Sequence, residues 1–357
     1  MKAIVVRGPF RYGMEEIPVR EPGPGEVLIR IEAVGLCGTD YGILSNEMQY
    51  YKTGQAKLPI VPGHEWAGCV EKVGPGVKEF QVGDQVTGEC TVRCGFCSYC
   101  QEGRPHLCEN RTETGVMNRD GGYAQYITFP AASLHRVSGI SMDWAALVEP
   151  AGIAMQAVKR ADIKPEDNVL VIGPGPIGLL AAQIAKKICG AKCVIISGTR
   201  DERLVRAAAY TDAAVNIRKE DLKEVVLKKT GGHGIDAVVV AAGTSGVFRD
   251  CENVMAPGGR ISICGFFDSA KADCNWDFIS TNSIDIRGSL GSPNVWPFVI
   301  SCIESGRLDV ENIISHRMTL ESTEDFQRAV DMMQNRTDDA CKIILYPNGV
   351  KHEPKCN

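Results

Sequence analysis

The chain has 357 residues, 44% of them hydrophobic, and a formal net charge of −5 at pH 7. This length is sufficient for two domains with large cores, and the mildly acidic charge, with no long basic run, argues against a nucleic-acid-binding surface. No window reaches the roughly 18 uninterrupted apolar residues of a membrane span, and the first residues lack the layout of a signal peptide. We therefore expect a soluble, cytoplasmic protein that binds neither nucleic acid nor membrane.

Residues 1 to about 150 are predicted to form a β-rich domain. Short runs rich in β-branched residues alternate there with Gly and Pro, as in a partly closed barrel or a sandwich. The predicted strands cover residues 4–7, 27–33, 67–73, 85–87 and 123–128.

Candidate metal ligands stand at two places in this region and at its end. Cys37 follows a predicted strand, and His64 and Glu65 follow a Pro-Gly turn. Glu149 stands at the start of a predicted helix. A lone cysteine is usually part of a core, and a lone His-Glu pair is usually a surface pair, so each residue alone is weak evidence. Together, sulfur, nitrogen and oxygen donors in these settings favour a zinc site that keeps one position for water or substrate.

A cluster of four among the 15 cysteines predicts a second zinc site. Cys94, Cys97, Cys100 and Cys108 have the spacing C-x2-C-x2-C-x7-C, and four thiolates in one short loop suit a closed, structural site. An iron–sulfur cluster is one alternative, but the familiar cluster spacings differ. A small nucleic-acid-binding ribbon is another, and the acidic net charge argues against it. The chain is too large to need disulfides for stability, and an odd cysteine count with a metal-like cluster is typical of a reducing compartment.

The middle of the chain is predicted to form a doubly wound α/β domain. After a helix over 148–161, apolar strands alternate with helices, as in a parallel sheet. The predicted strands cover 168–172, 192–197, 237–242, 260–264 and 285–288, and the predicted helices 177–187 and 202–210. The remaining elements are helices over 296–305 and 323–335 and a strand over 341–345.

A glycine-rich motif in this domain predicts a dinucleotide site. Gly173, Gly175 and Gly178 form G-x-G-x-x-G between an apolar strand and a helix. The motif alone is weak evidence in a chain with 38 glycines, but this setting makes it specific. The first glycine permits a tight turn, the second lets the backbone approach the pyrophosphate, and the third lets the helix pack on the sheet. With Pro176 and Ile177, the glycines would hold the phosphates at a helix N-terminus.

The end of the next strand bears on the choice between NADP and NAD. NAD enzymes carry an acid there, whereas this chain has Gly198. Arg200 can pair with a 2′-phosphate, and the hydroxyls of Ser197 and Thr199 can donate hydrogen bonds to it. We therefore predict NADP preference.

Three further residues after this strand also bear on the choice of cofactor. Arg203 can assist in binding the phosphate. Asp201 or Glu202 could instead take over the acid's role and favour NAD, although both are predicted to begin a helix.

These motifs together resemble the zinc-dependent medium-chain dehydrogenases, and the resemblance covers essentially the whole chain. It is carried by Gly63-His64-Glu65-x-Ala67-Gly68, Cys37-Gly38-Thr39-Asp40, the four-cysteine lobe and the glycine motif. Within the superfamily the chain is most similar to the polyol, sugar and threonine dehydrogenases, in which Val148-Glu149-Pro150 supplies a carboxylate. The resemblance implies a GroES-like catalytic domain over 1–153 and 292–357, with a structural zinc lobe at about 90–110. It implies a Rossmann cofactor domain over 154–291.

The resemblance also implies roles for individual residues. Cys37 and His64 would bind a catalytic zinc, and Glu65 and Glu149 would share its remaining positions, directly or through water. With the four-cysteine site, the chain would hold two Zn²⁺ ions. Thr39 would hydrogen-bond the substrate hydroxyl and begin the exit of its proton.

Two departures from the family pattern affect mechanism and substrate. Many relatives carry a proton-relay histidine three residues after the threonine, and that position is Gly42 here. Sorbitol dehydrogenases carry an Arg-Tyr pair where alignment by eye places Gly291-Ser292, which argues against sorbitol and leaves room for a bulkier or cyclic substrate. Four aromatic residues are candidates for lining a pocket, although aromatic residues at such places more often belong to the core: Tyr50, Tyr51, Phe266 and Trp296.

We therefore predict a zinc- and NADP-dependent dehydrogenase for a secondary hydroxyl of a polyol, sugar or cyclitol. Threonine or simple alcohol dehydrogenation is the alternative within this class, and a non-catalytic cofactor-binding protein is an alternative outside it. The complete ligand set and the glycine motif argue against the non-catalytic interpretation. Members of the family are usually homodimers or homotetramers, and we expect the same of this chain.

Overall fold

A computed structural model describes residues 1–243, 246–267 and 273–349. These residues divide into two compact units. The first comprises Met1–Glu149, Ser292–Glu304 and the described residues from Ile314 onward. The second comprises the described residues of Pro150–Gly291 together with Ser305–Ile313. The division predicted from the sequence differs from these units in that it assigns 150–153 and 305–313 to the first domain.

Hydrogen bonds account for the placement of Ser305–Ile313 with the second unit. The Gln183 side chain donates to the backbone oxygen of Asp309 at 2.9 Å and accepts from its backbone nitrogen at 3.0 Å. The Tyr210 hydroxyl donates to the Asp309 carboxylate at 2.7 Å. Gln183 and Tyr210 both belong to the α/β region, so this short segment is anchored there.

Eighteen β-strands lie in the described residues. In chain order they are β1 (Lys2–Gly8), β2 (Arg11–Glu16), β3 (Glu26–Leu36), β4 (Glu65–Val73), β5 (Gln85–Gly88), β6 (Thr91–Val92), β7 (Thr112–Thr114), β8 (Asn118–Arg119), β9 (Tyr126–Pro130), β10 (Leu134–Arg136), β11 (Asn168–Ile172), β12 (Cys193–Gly198), β13 (Ala213–Asn216), β14 (Ile235–Val240), β15 (Met255–Ile263), β16 (Asp285–Gly288), β17 (Ile314–Thr319) and β18 (Lys342–Tyr346).

Twelve α-helices lie in the same part of the chain. They are α1 (Gly38–Leu44), α2 (Gln49–Lys52), α3 (Ser98–Gln101), α4 (Met142–Ala146), α5 (Val148–Ala161), α6 (Pro176–Gln183), α7 (Asp201–Arg206), α8 (Leu222–Thr230), α9 (Val247–Val254), α10 (Trp276–Thr281), α11 (Trp296–Glu304) and α12 (Thr323–Asn335). Within the described residues no helix is both long enough and apolar enough to cross a membrane.

The largest sheet of the first unit brings three chain segments together at one end of β3. Among the described residues it has seven strands, in the order β10–β5–β4–β3–β18–β17, with β9 also paired to β3. β3 is antiparallel to β4, with Gly35 opposite Glu65, and antiparallel to β18, with Leu36 opposite Ile343. The residues that follow β3 therefore lie beside the first residues of both β4 and β18.

A large apolar core fixes this sheet. Along β3 most side chains are buried, and the core also contains Trp66, Tyr123, Phe129 and Phe326, all at 0% exposure. Trp66 and Phe129 pack edge to face with ring centroids 5.1 Å apart. Full burial of such side chains contributes about 1.5–3 kcal/mol each, so the strand ends are held by a rigid support.

The second unit has a parallel sheet, as the strand–helix alternation predicts. Its described strands have the order β13–β12–β11–β14–β15–β16, and every pairing is parallel. All residues of β11 are buried, as expected for a parallel strand covered on both faces. β11 pairs with β12 on one side and β14 on the other, so the strand order reverses there. Such a switch point is where doubly wound sheets bind ligands, and the glycine motif directly follows β11.

Candidate functional site

Three candidate ligands meet beside the end of β3. One ligand atom from each of Cys37, His64 and Glu65 lies within 4.8 Å of the other two. Cys37 is the residue between β3 and α1, His64 directly precedes β4, and Glu65 begins it. The histidine and the glutamate are buried, and the cysteine is partly exposed. A buried set of sulfur, nitrogen and oxygen donors fits a zinc ion with one side open.

The turn before β4 sets the position of His64. Gly63 has φ +97°, which a residue with a side chain adopts only with strain. A Cβ at Gly63 would also lie 2.8 Å from the backbone nitrogen of Tyr123. That nitrogen donates to the oxygen of Pro62 at 3.0 Å, so the two segments are in direct backbone contact. Glycine is therefore required here for both conformation and space.

Asp40 supports the site from behind the candidate ligands. Its Oδ2 accepts hydrogen bonds from the backbone nitrogen of Cys37 at 2.9 Å and from the Tyr123 hydroxyl at 2.5 Å. Its Oδ1 lies 3.7 Å from Nδ1 of His64. Burial raises the pKa of the Asp40 carboxyl. A carboxylate behind an imidazole orients the ring and raises its basicity, as in many metal sites.

The electrostatics of the site favour a bound cation. Burial by itself lowers the pKa of His64, but the charges of Cys37, Asp40 and Glu149 outweigh it and raise this pKa well above its usual value. Acidic groups are thus concentrated around a buried imidazole. Buried charges of one sign are stable only with a counter-charge, and a divalent cation supplies one.

The sequence did not reveal the partner of Glu65. Lys342, the first residue of β18, places its Nζ 2.7 Å from Oε1 and 2.6 Å from Oε2 of Glu65, and it also donates to the backbone oxygen of Leu36 at 3.1 Å. Both side chains are buried. Burial lowers the pKa of Lys342, but the charges of Glu65, Cys37 and Glu149 and the hydrogen bond to Glu65 together outweigh it and raise this pKa. Both carboxylate oxygens of Glu65 are therefore already engaged by a cation.

Glu149 lies in the first turn of α5 and is 4% exposed. It is not part of the three-residue group described above. Burial raises the pKa of Glu149 to about 7; the charges of His64 and Lys342 oppose this rise, and those of Glu65 and Glu113 add to it. The carboxylate is therefore within electrostatic reach of the candidate ligands. By distance, Glu65 rather than Glu149 belongs to the group with Cys37 and His64. Among the described residues, however, Lys342 contacts both carboxylate oxygens of Glu65 and is not paired with Glu149.

Thr39 stands beside the group at the start of α1. Its Oγ1 lies 3.6 Å from Sγ of Cys37, and the residue is partly exposed. A Cβ at Gly42, one turn further along the helix, would be 3.5 Å from Cβ of Met48. An apolar side chain thus neighbours the position at which relatives carry a histidine.

The four clustered cysteines come together in the same unit. One sulfur from each of Cys94, Cys97, Cys100 and Cys108 lies within 4.8 Å of the others, and the sulfur of Cys100 is 4.0 Å from that of Cys94 and 3.5 Å from that of Cys97. Zn–S bonds of about 2.3 Å place tetrahedral sulfurs about 3.8 Å apart. A backbone hydrogen bond from Cys100 lowers the pKa of Cys97, which favours the thiolate. The four donors fit a closed tetrahedral zinc site.

The glycine motif of the second unit forms a cradle at the start of α6. Gly173 has φ +103°, and a Cβ there would lie 2.5 Å from Cβ of Ala242. A Cβ at Gly178 would lie 1.9 Å from the backbone oxygen of Gly173. The space above Gly175 is open, because the nearest heavy atom to a Cβ there is Nη1 of Arg203 at 3.9 Å. An open backbone with a cation beside it fits a phosphate group.

The helix start adds to this cradle. Gly175 is the N-cap of α6, and Pro176 and Ile177 are its first two residues, all partly exposed. Proline is well suited to the first helical position, where its missing N–H costs no hydrogen bond. The positive end of the helix dipole favours an anion at this point.

Residues after β12 are the candidates for contacting the 2′-position of the cofactor ribose. Gly198 ends β12, and Arg200 is the N-cap of α7. The carboxylate of Asp201 accepts hydrogen bonds from Asn216 at 2.6 Å and from Lys219, and these bonds lower its pKa. Asp201 is thus engaged with the neighbouring strand and loop.

The two candidate hydroxyls after Ile196 differ in exposure. Ser197 is 2% exposed and lies within β12, whereas Thr199 is partly exposed, like Arg200. Thr199 and Arg200 are therefore better placed than Ser197 to contact a ligand.

The aromatic residues named as candidate pocket residues have different surroundings. Trp296 is 1% exposed, and Tyr51 is buried with its hydroxyl donating to the backbone oxygen of Val116 at 2.9 Å. Phe266, in the second unit, is 66% exposed. Tyr50 is partly exposed, and its hydroxyl forms hydrogen bonds with Arg111 and Glu113, each at 3.3 Å.

Comparison with known proteins identifies the family. The model of the alcohol dehydrogenase GroES-like domain matches residues 23–139, and that of the zinc-binding dehydrogenase domain matches 176–305. An L-threonine 3-dehydrogenase of Anaeromyxobacter dehalogenans is 35% identical over 351 residues, covering 97% of this chain and 98% of the relative.

Solved structures agree over the whole fold. A short chain alcohol dehydrogenase from E. coli complexed with NADH has a TM-score of 0.88 and 28% identity, covering 97% of this chain and 99% of that one. A zinc-binding dehydrogenase from Sinorhizobium meliloti bound to NADP has a TM-score of 0.88 and 27% identity, with the same coverage. The predicted superfamily and the predicted fold class, a GroES-like domain with a Rossmann domain, are thereby confirmed.

Proposed function

This chain belongs to the zinc-dependent medium-chain dehydrogenases and is an NAD(P)-dependent oxidoreductase of CH–OH groups, and we propose that it oxidises a secondary hydroxyl with NADP as the preferred cofactor. The buried grouping of Cys37, His64 and Glu65, with Glu149 nearby, is the observation that carries the proposal. The hydroxyl oxygen of Thr39 stands 3.6 Å from the Cys37 sulfur of this group. A redox-inactive binding protein would have no need of a buried, charged donor set beside a hydroxyl.

We propose that Cys37, His64 and Glu149 bind the catalytic zinc and that Lys342 holds Glu65 as a neighbouring carboxylate. The two short contacts from Lys342 to Glu65 support this choice, because a second cation on the same two oxygens would be repelled by the first. Glu149 is a buried carboxylate whose pKa of about 7 reflects its desolvation, and a cation at this place would compensate that cost. The four-cysteine lobe would hold the second, structural zinc.

In this proposal each residue of the site has a separate role in the reaction. Zinc, when bound, supplies Lewis acidity at the substrate oxygen, and the nicotinamide supplies the two-electron acceptor. Thr39 hydrogen-bonds the substrate hydroxyl and receives its proton as the carbonyl forms. Asp40 accepts hydrogen bonds from Cys37 and Tyr123 and thereby fixes the loop of Cys37, and its carboxylate faces the imidazole of His64 at 3.7 Å, so that this part of the site does not have to reorganise during turnover. With Gly42 in place of a histidine, the proton would leave Thr39 to water rather than to a side chain at position 42.

Three observations support NADP over NAD. Gly198 offers no carboxylate to the ribose, and Asp201, the nearest substitute, is held by Asn216 and Lys219. Arg200, at the N-cap of α7, is partly exposed, and Arg203 extends toward Gly175. Guanidinium groups pair with phosphate through two parallel hydrogen bonds. These arginines would therefore bind the 2′-phosphate of NADP, which NAD lacks.

For the substrate, we propose a polar molecule with a secondary hydroxyl: a polyol, sugar or cyclitol, with L-threonine as the second candidate. We include L-threonine because the relative with 35% identity is named L-threonine 3-dehydrogenase. A polar cluster in the first unit also favours it. Arg111 donates to Oε1 of Glu113 at 2.9 Å and to the Tyr50 hydroxyl at 3.3 Å, and the charge of Glu113 reaches Glu149. Paired charges near the metal centre complement the carboxylate and ammonium of an amino acid, and they also offer hydrogen bonds to a polyol.

A substrate screen with metal analysis tests this function. The purified protein would be assayed with alditols, aldoses, inositols and L-threonine, each with NADP and with NAD. We expect oxidation of at least one of these compounds, with a higher kcat/KM for NADP, and two zinc ions per chain. Cys37→Ser should lose one zinc together with the activity. The metal-centre proposal is wrong if that variant keeps both ions, and the cofactor proposal is wrong if NAD gives the clearly higher kcat/KM.

A further inference from the structure

Gly198 is in tight contact with a residue of the glycine motif. A Cβ at position 198 would lie 2.3 Å from Cδ and 2.5 Å from Cγ of Pro174, which stands between Gly173 and Gly175. Real Cβ atoms essentially never come that close to another heavy atom. The backbone of Gly198 is not among the positive-φ positions of the chain, so its conformation is open to any residue. The ring of Pro174, rather than the backbone, requires glycine at the end of β12.

This contact cannot be relieved by a side-chain rotation. The Cδ of a proline is bonded to its own backbone nitrogen, so the ring has no alternative rotamer that would remove it. The backbones on both sides are also fixed. Gly173 donates to the oxygen of Ser197 at 2.9 Å, and Ile217 donates to the oxygen of Gly198 at 3.0 Å. Any side chain at 198 would have to break the pairing of β12 with its neighbours or displace the loop.

We propose that Pro174 is a cofactor-specificity residue of this enzyme. Its ring fills the space through which a side chain at position 198 would extend, and it thereby excludes the acid that NAD enzymes place at the end of this strand. A 2′-phosphate then meets Arg200 and Arg203 with no carboxylate at position 198 to repel it. This inference rests on the proposed NADP preference, but the steric coupling between positions 174 and 198 is independent of it.

Alanine at position 174 should release this restriction. The Cβ of Pro174 lies 3.7 Å from a Cβ at position 198, which is an ordinary van der Waals distance. Pro174→Ala keeps that atom and removes Cγ and Cδ, the two that collide. Pro176 is a matched control, because it is the other proline of the glycine motif, at the first position of α6, and none of its atoms is among the three nearest to a Cβ at position 198.

The test compares wild type with Gly198→Asp, Pro174→Ala, Pro174→Ala/Gly198→Asp and Pro176→Ala/Gly198→Asp. Dissociation constants for NADPH and NADH are measured by nicotinamide fluorescence, and folding by thermal unfolding without cofactor. We expect Gly198→Asp to unfold at a lower temperature and to bind both cofactors weakly. Pro174→Ala should keep the wild-type preference for NADPH. The Pro174→Ala/Gly198→Asp protein should regain thermal stability and bind NADH about 10- to 100-fold more tightly than Gly198→Asp, as expected for one charge-assisted hydrogen-bond site.

The control double variant should show no such recovery. If Gly198→Asp alone binds NADH as well as the Pro174→Ala/Gly198→Asp protein does, or if Pro176→Ala rescues equally, Pro174 has no specific role. If Gly198→Asp does not fold, Gly198→Ala with and without Pro174→Ala tests the same contact, since alanine adds only the Cβ. Equal unfolding temperatures for those two proteins would also overturn the inference. A wild-type preference for NADH would instead overturn the proposed cofactor choice, and the difference between single and double variants would still measure the coupling.

Discussion

Lys342 holds both carboxylate oxygens of Glu65, at 2.7 and 2.6 Å, where the first residues of β4 and β18 flank the end of β3. The ion pair is almost fully buried, with side-chain exposures of 3% and 1%. Breaking a buried pair by removing one partner leaves a desolvated charge, whereas an apolar replacement of both partners is often tolerated.

Removal of the ammonium alone should therefore be the more damaging change. We expect Lys342→Met to lower the free energy of unfolding by about 3–5 kcal/mol, and Glu65→Gln/Lys342→Met to recover part of that loss. Urea unfolding of the metal-free proteins measures both. Arg7→Met provides the control, since the Arg7–Glu15 pair is exposed to solvent and its loss should change the free energy of unfolding little. A Lys342→Met protein as stable as the control would show that the Lys342–Glu65 pair has no structural role.

The second prediction decides which glutamate binds the catalytic zinc. We expect Glu149→Gln to lose about one zinc ion per chain, because a neutral amide is a much weaker zinc ligand than a carboxylate. Glu65→Gln should keep its zinc, since Lys342 already occupies the Glu65 oxygens. Metal content is measured by mass spectrometry after dialysis against a weak chelator. The reverse pattern, with zinc lost from Glu65→Gln and kept in Glu149→Gln, would reassign the ligand.

The third prediction concerns the proton. Thr39→Val removes the hydroxyl beside Cys37 and keeps a side chain of similar shape, and we expect kcat to fall about 100-fold or more with zinc content unchanged. Thr39→Ser keeps the hydroxyl and should retain most of the activity. Gly42 offers no substitute donor at the position of the family's relay histidine. Equal kcat values for the valine and serine variants would exclude Thr39 from proton transfer.

Local sequence patterns were sufficient for much of the fold. The apolar strand before Gly173 and the helix after it were predictable because their signals lie within one continuous segment. Among the described residues of the second unit, four elements escaped prediction: β13, α8, α9 and α10. β13 has only four residues, and α8 is largely polar, so neither carries a clear apolar period. Asp221 at the N-cap of α8 and Gly231 at its end are signals that could have revealed that helix.

The residues that support the metal centre were harder to predict from the sequence. Lys342 is 277 residues from Glu65, and the two meet because β18 and β4 both pair with the same end of β3. A single lysine at the start of an apolar strand carries no sign of its partner. The contact between Pro174 and Gly198 has the same origin, since it depends on how the loop after β11 lies over the end of β12.

The fourth prediction tests whether Arg200 distinguishes NADPH from NADH. Arg200→Ala should weaken NADPH binding by about 10- to 100-fold, the loss expected when a charged hydrogen-bond donor to a phosphate is removed. NADH has no 2′-phosphate, so its dissociation constant should change little. Nicotinamide fluorescence titrations at constant ionic strength measure both constants. Arg206→Ala, a change to another arginine of the same region that contacts Asn312, is the control. Equal weakening of NADPH and NADH would mean that Arg200 does not bind the 2′-phosphate.

The fifth prediction distinguishes an amino-acid substrate from a polyol. Arg111 pairs with Glu113 and Tyr50, and Glu113 is near enough to raise the pKa of Glu149. If the substrate is L-threonine, Arg111→Met should raise its KM by about tenfold or more through loss of a charged contact, while kcat changes much less, because the arginine does not contact the reacting hydroxyl. The same variant should alter the KM of a neutral polyol only slightly. An equal rise in KM for both substrates would point to a general distortion of the loop, and thermal unfolding of the variant would reveal such a distortion independently.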